Sequence, residues 1–481
     1  MTDVIVIGAG PAGVLAALRA SELGARTTLV ASGELGGMAA NDGPVPVRTL
    51  GHASRLMREA RQLGRYGITV SEPVLNYNQL LVRVREVVGD VRAHAFLRQQ
   101  IDSLGVTVHE HAGTAHFIDA HAIETNSGLR FEGDKVIICT GGVNRRLPIP
   151  GFELTSTHSD AWDLKSIPSS LLVVGAGATG VQVASIFNAF GTRVQLFEAG
   201  PRILATEDED VSAAAARAFR ESGMVVEENF GTIESFEKTT AGIRMNFSKD
   251  GKRDSTEAAL VVVAVGWVAD SAGLNLAAAG VELNQRKFVK VDAYLQTSAP
   301  HIFAAGDITG RLMLVPQGLQ AGFVAATNAV LGPTIPLGDE VTTTGSFSEP
   351  EYAQTGVGEA KARATHDIVT AVVHFDSTTR TIIDGRTFGF CKLIADRKTA
   401  KILGCHVIGE RAVDIAEVAA IAIAAGMRVD ELARIPLAFP TYAGILANVA
   451  VSAAHQLGLK VGWQAHEAES SGMSKMGRNV A

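Results

Sequence analysis

Two spacings of apolar residues alternate at the start of the chain. Asp3–Ile7 is a short apolar run with the length of a buried strand, and the glycine-rich stretch GAGPAG follows at once at Gly8–Gly13. The next residues, VLAALRASELG, have the apolar spacing of a helix that ends at Gly24, and TTLV then has the composition of a second strand. Strand, glycine turn, helix and strand in this order predict the βαβ unit that binds a dinucleotide.

The glycines of this stretch have separate predicted roles. Gly8 makes the tight turn, Gly10 lets a phosphate approach the backbone, and Gly13 lets the helix pack closely on the strand. The helix N-terminus then faces a pyrophosphate. A lone GxGxxG is weak evidence, but this one has a strand before it and a helix after it. The candidate cofactor contacts in this turn are Gly8, Gly10, Pro11, Ala12 and Gly13.

The same unit occurs a second time. Leu171–Val174 leads into GAGATG at Gly175–Gly180, a helical stretch follows, and the strand VQLFE ends at Glu198. An acidic residue at that strand end accepts hydrogen bonds from a ribose 2′-OH and repels a 2′-phosphate, so the sequence favours NADH over NADPH. Arg202 is close by in the sequence and would weaken that preference. The candidate contacts here are Gly175, Gly177, Thr179, Gly180 and Glu198.

The composition is that of an ordinary globular protein, since 47% of the 481 residues are hydrophobic and 19% are charged. The length exceeds one typical core and predicts several domains. The net charge of -7 comes without clustered basic residues, which argues against nucleic acid as a partner. The sequence contains no run of about twenty apolar residues, so we expect no membrane span.

The three cysteines, Cys139, Cys391 and Cys405, are too far apart in the sequence for a CxxC redox motif or a zinc site. Each lies among strand-like residues, which favours buried structural thiols, and we expect no metal. So few cysteines, together with a start that lacks the features of a signal peptide, predict a reducing cytoplasm.

The segment Gly36–Leu50, GGMAANDGPVPVRTL, resembles the start of the active-site helix in the class I flavoprotein disulfide reductases, such as lipoamide dehydrogenase, glutathione reductase and mercuric reductase. In that family a GG pair leads into two cysteines spaced CxxxxC, then a proline, a serine and a lysine. Here Ala39 and Pro44 occupy the cysteine positions, and Arg48 occupies the lysine position. Because a thiolate is the nucleophile in disulfide exchange, we expect the scaffold of a disulfide reductase without its chemistry. The frame is kept by Gly36, Gly37, Gly43 and Pro46.

Further segments resemble the same family. Thr297–Thr309 resembles the second FAD fingerprint, in which Asp307 would bind the ribityl chain, and Cys139–Gly142 resembles the element beside the flavin dinucleotide. Val263–Gly266 resembles the corresponding element on the NAD side, and the residues from about Thr342 resemble the dimerisation domain. The cofactor contacts that the resemblance implies beyond the two glycine turns are Gly37, Met38, Thr140, Gly141, Gly266, Gly306 and Asp307.

The resemblance implies an α/β fold with two Rossmann-like dinucleotide-binding domains, one for FAD and one for NAD, and a C-terminal α+β dimerisation domain. It also implies a homodimer with an active site shared across the interface. The implied boundaries are 1–150 for the first part of the FAD-binding domain, 151–270 for the NAD-binding domain, 271–340 for the continuation of the FAD-binding domain, 341–465 for the dimerisation domain and 466–481 for a flexible tail.

Two other parts of the family's catalytic unit are also replaced. The segment FPTYAG stands where the family has HPTxxE, so Phe439 and Gly444 replace the His–Glu pair that serves the thiols as acid and base. Gln182 replaces the glutamate that pairs with the lysine beside the flavin. Because thiols, base and ion pair are lost together, the sequence indicates a replaced active site.

The first βαβ unit departs from the family at the end of its second strand. Ala31 stands where an acidic residue usually holds the adenosine ribose of FAD, with Ser32 and Glu34 as alternatives for that hydrogen bond. The change would lower the affinity for FAD, although the pyrophosphate turn and Asp307 remain.

Without the disulfide, one face of the flavin would be open to a second substrate, because the cofactor itself carries the redox chemistry. Phe439 and Tyr442, contributed across the dimer interface, would roof that space. An aromatic-lined slot suits a quinone, an enone or an aromatic-ring precursor. The sequence leaves the direction of the reaction open.

The candidate catalytic residues each have a structural alternative. Arg48 would orient the substrate or stabilise the reduced flavin, or it pairs with a carboxylate such as Asp42. Tyr442 would donate a proton, or it is buried at the interface without chemistry. His52, one turn beyond Arg48 if the helix continues, would act as acid or base, or it is structural. Phe439 would shape the pocket, and Gln182 would adjust the nicotinamide side.

Three functions remain open from the sequence. The leading hypothesis is an FAD- and NADH-dependent oxidoreductase that acts on a small organic substrate by direct hydride transfer. The second is a diaphorase of low specificity, which passes single electrons to quinones, dyes or oxygen. The third is a non-catalytic flavin-binding partner protein.

Overall fold

The computed structural model of the chain describes residues 1–94, 97–339 and 341–461. These residues form two compact units, Met1–Ala199 with Glu227–Asp339, and Gly200–Val226 with the residues from 341 onward. The predicted tail at 466–481, and the last four residues of the predicted dimerisation domain, lie outside the described residues.

The strands have the following bounds, numbered along the chain: β1 (Asp3–Ile7), β2 (Arg26–Val30), β3 (Thr107–His109), β4 (Ala115–Phe117), β5 (Ala122–Thr125), β6 (Arg130–Glu132), β7 (Lys135–Ile138), β8 (Gly142–Asn144), β9 (Ser170–Val174), β10 (Arg193–Glu198), β11 (Val225–Glu228), β12 (Thr232–Lys238), β13 (Ile243–Lys249), β14 (Lys252–Ala258), β15 (Leu260–Val263), β16 (Trp267–Ala269), β17 (Ile302–Ala304), β18 (Thr343–Ser346), β19 (Tyr352–Gly356), β20 (Ile368–His374), β21 (Gly389–Asp396) and β22 (Ile402–Gly409).

The α-helices have the following bounds: α1 (Pro11–Glu22), α2 (Gly37–Asn41), α3 (Pro44–Gln62), α4 (Tyr77–His94), α5 (Leu97–Ser103), α6 (His158–Ala161), α7 (Ala178–Ala189), α8 (Glu209–Glu221), α9 (Val315–Leu331), α10 (Glu359–Thr365), α11 (Thr379–Ile383), α12 (Ala412–Ala424), α13 (Val429–Ala433) and α14 (Gly444–Gln456). Single turns of 3₁₀ helix lie at Leu63–Tyr66, Phe152–Leu154, Leu276–Ala279, Asp307–Thr309 and Phe375–Ser377.

The first unit contains a parallel sheet in the order β17–β7–β1–β2–β3. Its central strand β1 is almost entirely apolar because helices cover the sheet, and Val4–Ile7 of this strand are buried throughout. Helices α1 and α9 approach each other closely at Gly322, where an added Cβ would lie 2.2 Å from the carbonyl oxygen of Ala12. The crossover from β1 through α1 to β2 is the predicted βαβ unit.

A second sheet has four strands in the order β11–β10–β9–β15, and β9 pairs in parallel with both β10 and β15. Helix α7 is the crossover between β9 and β10, as the second glycine turn predicts. Three antiparallel groups complete the unit: β4–β5–β6, β12–β13–β14, and the pair β8 and β16. The pair matters for the site, because it places Asn144 opposite Trp267.

The second unit is an antiparallel sheet in the order β18–β19–β22–β21–β20, with its core formed against α12, α13 and α14. The same unit includes 200–226, which contains α8. Lys392 of β21 is almost fully buried and lies 2.7 Å from Asp210 and 2.9 Å from Asp208. The predicted NAD-binding domain, 151–270, includes this segment, and the predicted boundaries stay a prediction.

Among the described residues, no helix has both the length and the apolar character needed to cross a membrane. The observed architecture is the predicted α/β fold, and the element order follows both predicted βαβ units.

Candidate functional site

The first glycine turn depends on close backbone approach. A Cβ on Gly8 would lie 2.3 Å from the carbonyl oxygen of Cys139, and one on Gly13 would lie 1.8 Å from the carbonyl oxygen of Gly8. A Cβ on Gly10 would meet nothing within 4 Å, so space is open before α1, which begins at Pro11. Backbone N–H groups at such a helix N-terminus attract a pyrophosphate.

The GG pair at the start of α2, Gly36 and Gly37, is held against this turn. The Gly36 N–H donates to the carbonyl oxygen of Ala9 at 2.8 Å. A Cβ on Gly37 would lie 2.8 Å from Cα of Gly10, so only glycine allows this approach. Met38 follows at the surface, with 36% of its area exposed. The segment Gly36–Leu50 therefore starts beside the first glycine turn.

The second FAD segment, Thr297–Thr309, also lies against the first glycine turn. A Cβ on Gly306 would lie 3.0 Å from Cβ of Ala12, and one on Gly142 would lie 3.6 Å from Cβ of Asp307. Burial raises the pKa of the Asp307 carboxyl. A partly buried carboxyl favours a hydrogen-bonding partner, and the hydroxyls of a ribityl chain could supply one.

Thr140 and Gly141 lie in the connection between β7 and β8. The Thr140 hydroxyl donates to the carbonyl oxygen of Asp270 at 2.8 Å, and the Asp270 N–H donates to the carbonyl oxygen of Gly141 at 3.1 Å. A Cβ on Gly141 would meet nothing within 4 Å, so the backbone here is open to a ligand.

The second glycine turn repeats the packing of the first. A Cβ on Gly180 would lie 1.8 Å from the carbonyl oxygen of Gly175. Glu198 accepts the Ala176 N–H at 2.8 Å and so holds the turn at the end of β10. In front of the turn lies a cavity of about 730 Å³. Its lining includes Gly175, Gly177, Thr179, Glu198, Gly266 and Trp267.

The residues present fit both implied dinucleotides. Each turn has open space before a helix N-terminus, and the second has a cavity of the size of a cofactor site. Arg202 donates to the carbonyl oxygens of Leu204 and Ala205 at 3.3 and 3.0 Å, so backbone groups already hold part of its guanidinium.

The ribose position of the first unit is occupied differently from the family pattern. Ala31 is buried, and its N–H donates to the carbonyl oxygen of His109 at 2.9 Å. Glu34, one of the two predicted alternatives, forms an ion pair with Arg92. The Glu34 carboxylate is therefore already paired with Arg92.

The segment Gly36–Leu50 contains α2 and the start of α3. Helix α2 ends at Asn41, whose side-chain amide donates to the carbonyl oxygens of Leu35 and Gly37. Helix α3 then runs from Pro44 to Gln62, so His52 lies one turn beyond Arg48 on the same helix. Arg48 is half-buried, and His52 is exposed.

Asp42, between the two helices, belongs to a polar cluster that sequence analysis did not identify. Its carboxylate accepts the Ser159 hydroxyl at 2.5 Å and lies 3.8 Å from Nε2 of His158. On the other side of the imidazole, the amide nitrogen of Asn144 lies 3.5 Å from Nδ1. We call Asp42, Asn144, His158 and Ser159 the Asp42 cluster.

The His158 ring is 3% exposed and packs edge-to-face against Trp267 and Trp162. Burial lowers the pKa of His158, and the negative charges of Asp42 and Asp160 oppose that shift. The ring is therefore neutral near pH 7. The sequence did contain a signal for the position of His158. Thr157 and Asp160 form a capping box, which marks His158 as the first residue of α6.

Gln182 of α7 is buried, at 8% exposure. Its amide nitrogen has no hydrogen-bond partner among the described residues. A buried N–H donor without a partner can form a hydrogen bond to a polar group of a ligand.

Tyr442 and Phe439 lie in the second unit. The Tyr442 hydroxyl donates to Asp384 at 2.8 Å, and Arg380 also contacts that carboxylate at 2.8 Å. Burial and the Asp384 hydrogen bond raise the pKa of Tyr442, so the phenol keeps its proton and donates it in a hydrogen bond to the Asp384 carboxylate. This geometry favours the structural alternative for Tyr442. Phe439 is 81% exposed within its own subunit.

The three cysteines are buried and free, as predicted. Burial raises the pKa of Cys139 to about 12, which leaves it inert as a nucleophile. Sγ of Cys391 lies 3.8 Å from Sγ of Cys405, within the core of the second unit. Within the described residues, no group of three or more His, Cys, Asp and Glu side chains is arranged to hold a metal.

Comparison with known proteins gives two family matches. Residues 2–322 match the family described as pyridine nucleotide-disulphide oxidoreductase, and residues 342–450 match the dimerisation domain of the same family. Together they cover most of the chain.

Relatives and solved structures agree with these matches. The chain is 29% identical over 435 residues to a mercuric reductase of Lysinibacillus sphaericus, covering 89% of the chain and 78% of the relative. It is 32% identical over 431 residues to a dihydrolipoyl dehydrogenase of Mycobacterium tuberculosis, covering 86% and 89%. The crystal structure of LpdA from Mycobacterium tuberculosis has a TM-score of 0.83 at 26% identity, covering 94% of the chain and 99% of LpdA.

Proposed function

The chain belongs to the pyridine nucleotide-disulphide oxidoreductase family, and we propose that it transfers hydride from NADH through FAD directly to a small organic acceptor, without a redox disulfide. Membership makes it an oxidoreductase that uses FAD and NAD(P)H, and the dimerisation domain indicates a homodimer. The proposed acceptor is a quinone, an enone or an aromatic-ring precursor. The cytoplasm is the expected compartment.

The observation that carries the proposal is the replacement of both cysteines by Ala39 and Pro44 in a chain that keeps both dinucleotide turns. Neither side chain can form a thiolate, and Cys139 is buried with a raised pKa. Disulfide exchange needs a thiolate, which these positions cannot supply. What remains is a scaffold that brings two dinucleotides together.

The chain's own residues would hold the cofactors and shape the acceptor site. When bound, FAD supplies the two-electron carrier between NADH and the acceptor. Gly8–Gly13 and Asp307 would hold FAD, and Gly175–Gly180 with Glu198 would hold NADH. The Glu198 carboxylate favours the 2′-OH of NADH over the 2′-phosphate of NADPH.

Arg48 is the proposed contact for the acceptor. It stands on α3 one turn beyond Pro44, and a guanidinium donates in a fixed fork to carbonyl or carboxylate oxygens. If the proposal holds, Arg48→Ala keeps reductive bleaching by NADH and loses turnover of the acceptor. Unchanged turnover in that variant would remove Arg48 from the acceptor site. Phe439 and Gln182 stay proposed as pocket-shaping residues, and His52 stays the weaker acid–base candidate because it is exposed.

Anaerobic addition of NADH to the holoenzyme tests the proposal. Bleaching of the flavin, followed by fast reoxidation with quinones or enones and no turnover of lipoamide or mercuric ion, is the expected result. An FAD-bound protein that does not bleach would be a non-catalytic partner protein, and the proposal would be wrong. Equal reoxidation by quinones, dyes and oxygen would instead show the low-specificity diaphorase.

A further inference from the structure

The cavity in front of the second glycine turn has two sides, which the order of the strands defines. Strand β9 ends at Val174, with β10 on one side of it and β15 on the other. The Gly175 N–H donates to the carbonyl oxygen of Phe197 in β10 at 2.8 Å, and the Ala264 N–H donates to that of Val174 at 2.7 Å. Both neighbouring strands therefore end beside the turn, and residues at their ends line the cavity.

The adenosine half of a dinucleotide belongs on the β10 side. Glu198 is the last residue of β10, lines the cavity, and is the residue that the proposed function assigns to the ribose 2′-OH. Among the described residues that line the cavity, Glu198 is also the only charged one. Because the pyrophosphate lies at the N-terminus of α7, the nicotinamide half extends to the β15 side.

Trp267 lies on that second side. Residues 264–266 join β15 to β16, which begins at Trp267, and both Gly266 and Trp267 line the cavity. Gly266 has a φ of +110°, and a Cβ there would meet nothing within 4 Å. Open space therefore lies beside the half-buried Trp267 at the nicotinamide end of the cavity.

We propose that Trp267 contacts the nicotinamide half of the bound dinucleotide, and that His158 is the residue that positions its indole. This inference rests on the proposed function, which places NADH at the second glycine turn. It names a contact for the ring that carries the hydride, whereas Glu198 contacts the opposite half.

Buried groups support the indole of Trp267. The His158 ring packs against it edge-to-face, with 5.3 Å between the ring centroids and 65° between the planes, and His158 is 3% exposed. On the neighbouring strand, Asn144 pairs with Trp267, lines the same cavity, and has its amide nitrogen 3.5 Å from Nδ1 of His158. These contacts hold the indole before a ligand binds, which lowers the cost of ordering it on binding.

An indole suits both redox states of the nicotinamide ring. The reduced ring is uncharged, and an aromatic contact with it buries apolar surface. The oxidised ring carries a positive charge, which tryptophan attracts more strongly than the other aromatic side chains do. ADP-ribose contains the adenosine, the pyrophosphate and a second ribose but no nicotinamide. It can therefore occupy the cavity without this contact.

Calorimetric titration of the oxidised holoenzyme with NAD⁺ and with ADP-ribose tests the inference, because neither probe reduces the flavin. Trp267→Ala should raise the dissociation constant of NAD⁺ about 3- to 10-fold, the range of a lost aromatic contact. The dissociation constant of ADP-ribose should stay within about twofold of wild type. Trp267→Phe should restore most of the affinity for NAD⁺. Because ADP-ribose binding needs an intact turn, it also shows that each variant is folded.

Glu198→Gln is the matched control, since it changes a residue on the opposite side of the same cavity. It should raise the dissociation constants of NAD⁺ and ADP-ribose by the same factor, because both molecules contain the adenosine ribose. In stopped flow, Trp267→Ala should need about 3- to 10-fold more NADH than wild type for half-maximal bleaching.

The positioning role of His158 needs a measurement that a purely structural role would not change. The ratio of the two dissociation constants is such a measurement, because general destabilisation affects both probes alike. His158→Ala should weaken NAD⁺ about 2- to 3-fold relative to ADP-ribose, a smaller selective loss than in Trp267→Ala. An unchanged ratio would overturn the positioning role.

The outcomes separate this inference from the proposed function. If Trp267→Ala weakens both probes equally, or neither, the role of Trp267 is wrong and the proposed function stands. If the wild-type protein binds neither probe, the placement of NADH in the proposed function is wrong, and this inference fails with it. No acceptor enters these titrations, so an acceptor assay that fails leaves their result valid.

Discussion

Replacing Glu207 with glutamine should stabilise the second unit at alkaline pH and change little near pH 5. Glu207 is 6% exposed, and burial raises the pKa of its carboxyl from an ordinary 4.5 to about 7. The folded state therefore favours the protonated form. Its contribution to stability is fully present below pH 4.5 and is lost as the pH rises through about 7.

The size of the effect follows from that raised pKa. One pKa unit corresponds to about 1.4 kcal/mol, so the ionised carboxylate costs about 3 kcal/mol above pH 8, as an order of magnitude. Glutamine has no charge and keeps the shape. Gln354 donates to one Glu207 oxygen at 3.1 Å, and the glutamine amide oxygen can accept the same bond. The other oxygen has no partner among the described residues, so little else changes.

Thermal unfolding midpoints at pH 5 and pH 8.5 measure this difference, at equal protein and FAD concentrations because ligands and association shift the midpoint. Glu207→Gln should unfold at a higher temperature than wild type at pH 8.5 and at nearly the same temperature at pH 5. Glu209→Gln, an exposed glutamate two residues further on, is the control. If the unfolding midpoints of Glu207→Gln and wild type differ by the same amount at both pH values, the reasoning is wrong.

Three further predictions concern charge and close packing. Lys392→Met should destabilise the protein by about 3–5 kcal/mol in urea unfolding, because Asp208 and Asp210 lose their buried cation; an unchanged midpoint would contradict this. Gly180→Ala should keep FAD absorbance but lose bleaching by NADH, since its Cβ would lie 1.8 Å from a carbonyl oxygen; normal bleaching would show that the turn can adjust. Glu198→Gln should lower the ratio of the bleaching rate with NADH to that with NADPH about tenfold. An unchanged ratio would show that Glu198 does not select NADH.

The parts of the fold that follow from the sequence are those with local signals. Strand, glycine turn and helix are specified within about thirty residues, and β1, α1 and β2 lie where the apolar spacing places them. The predicted helix end at Gly24 differs by two residues from the observed end at Glu22, as is usual at frayed termini. The buried state of the three cysteines follows in the same way from their strand-like neighbours.

The polar contacts of the site depend on tertiary packing and could not be predicted. Asp42 and Ser159 are 117 positions apart in the sequence, and Lys392 and Asp210 are 182 apart. No periodic pattern joins residues at such separations. Tyr442 shows the same limit, because its sequence position resembles a catalytic segment while its hydroxyl is bound to Asp384.

The number of electrons that the holoenzyme accepts tests the central claim most directly. A flavin takes up two electrons and a redox-active disulfide takes up two more, so the two kinds of enzyme differ in a simple titration. Anaerobic dithionite titration should reach full bleaching and end at two electrons for each FAD. An end point at four electrons for each FAD would reveal a redox-active disulfide and contradict thiol-free transfer to the acceptor.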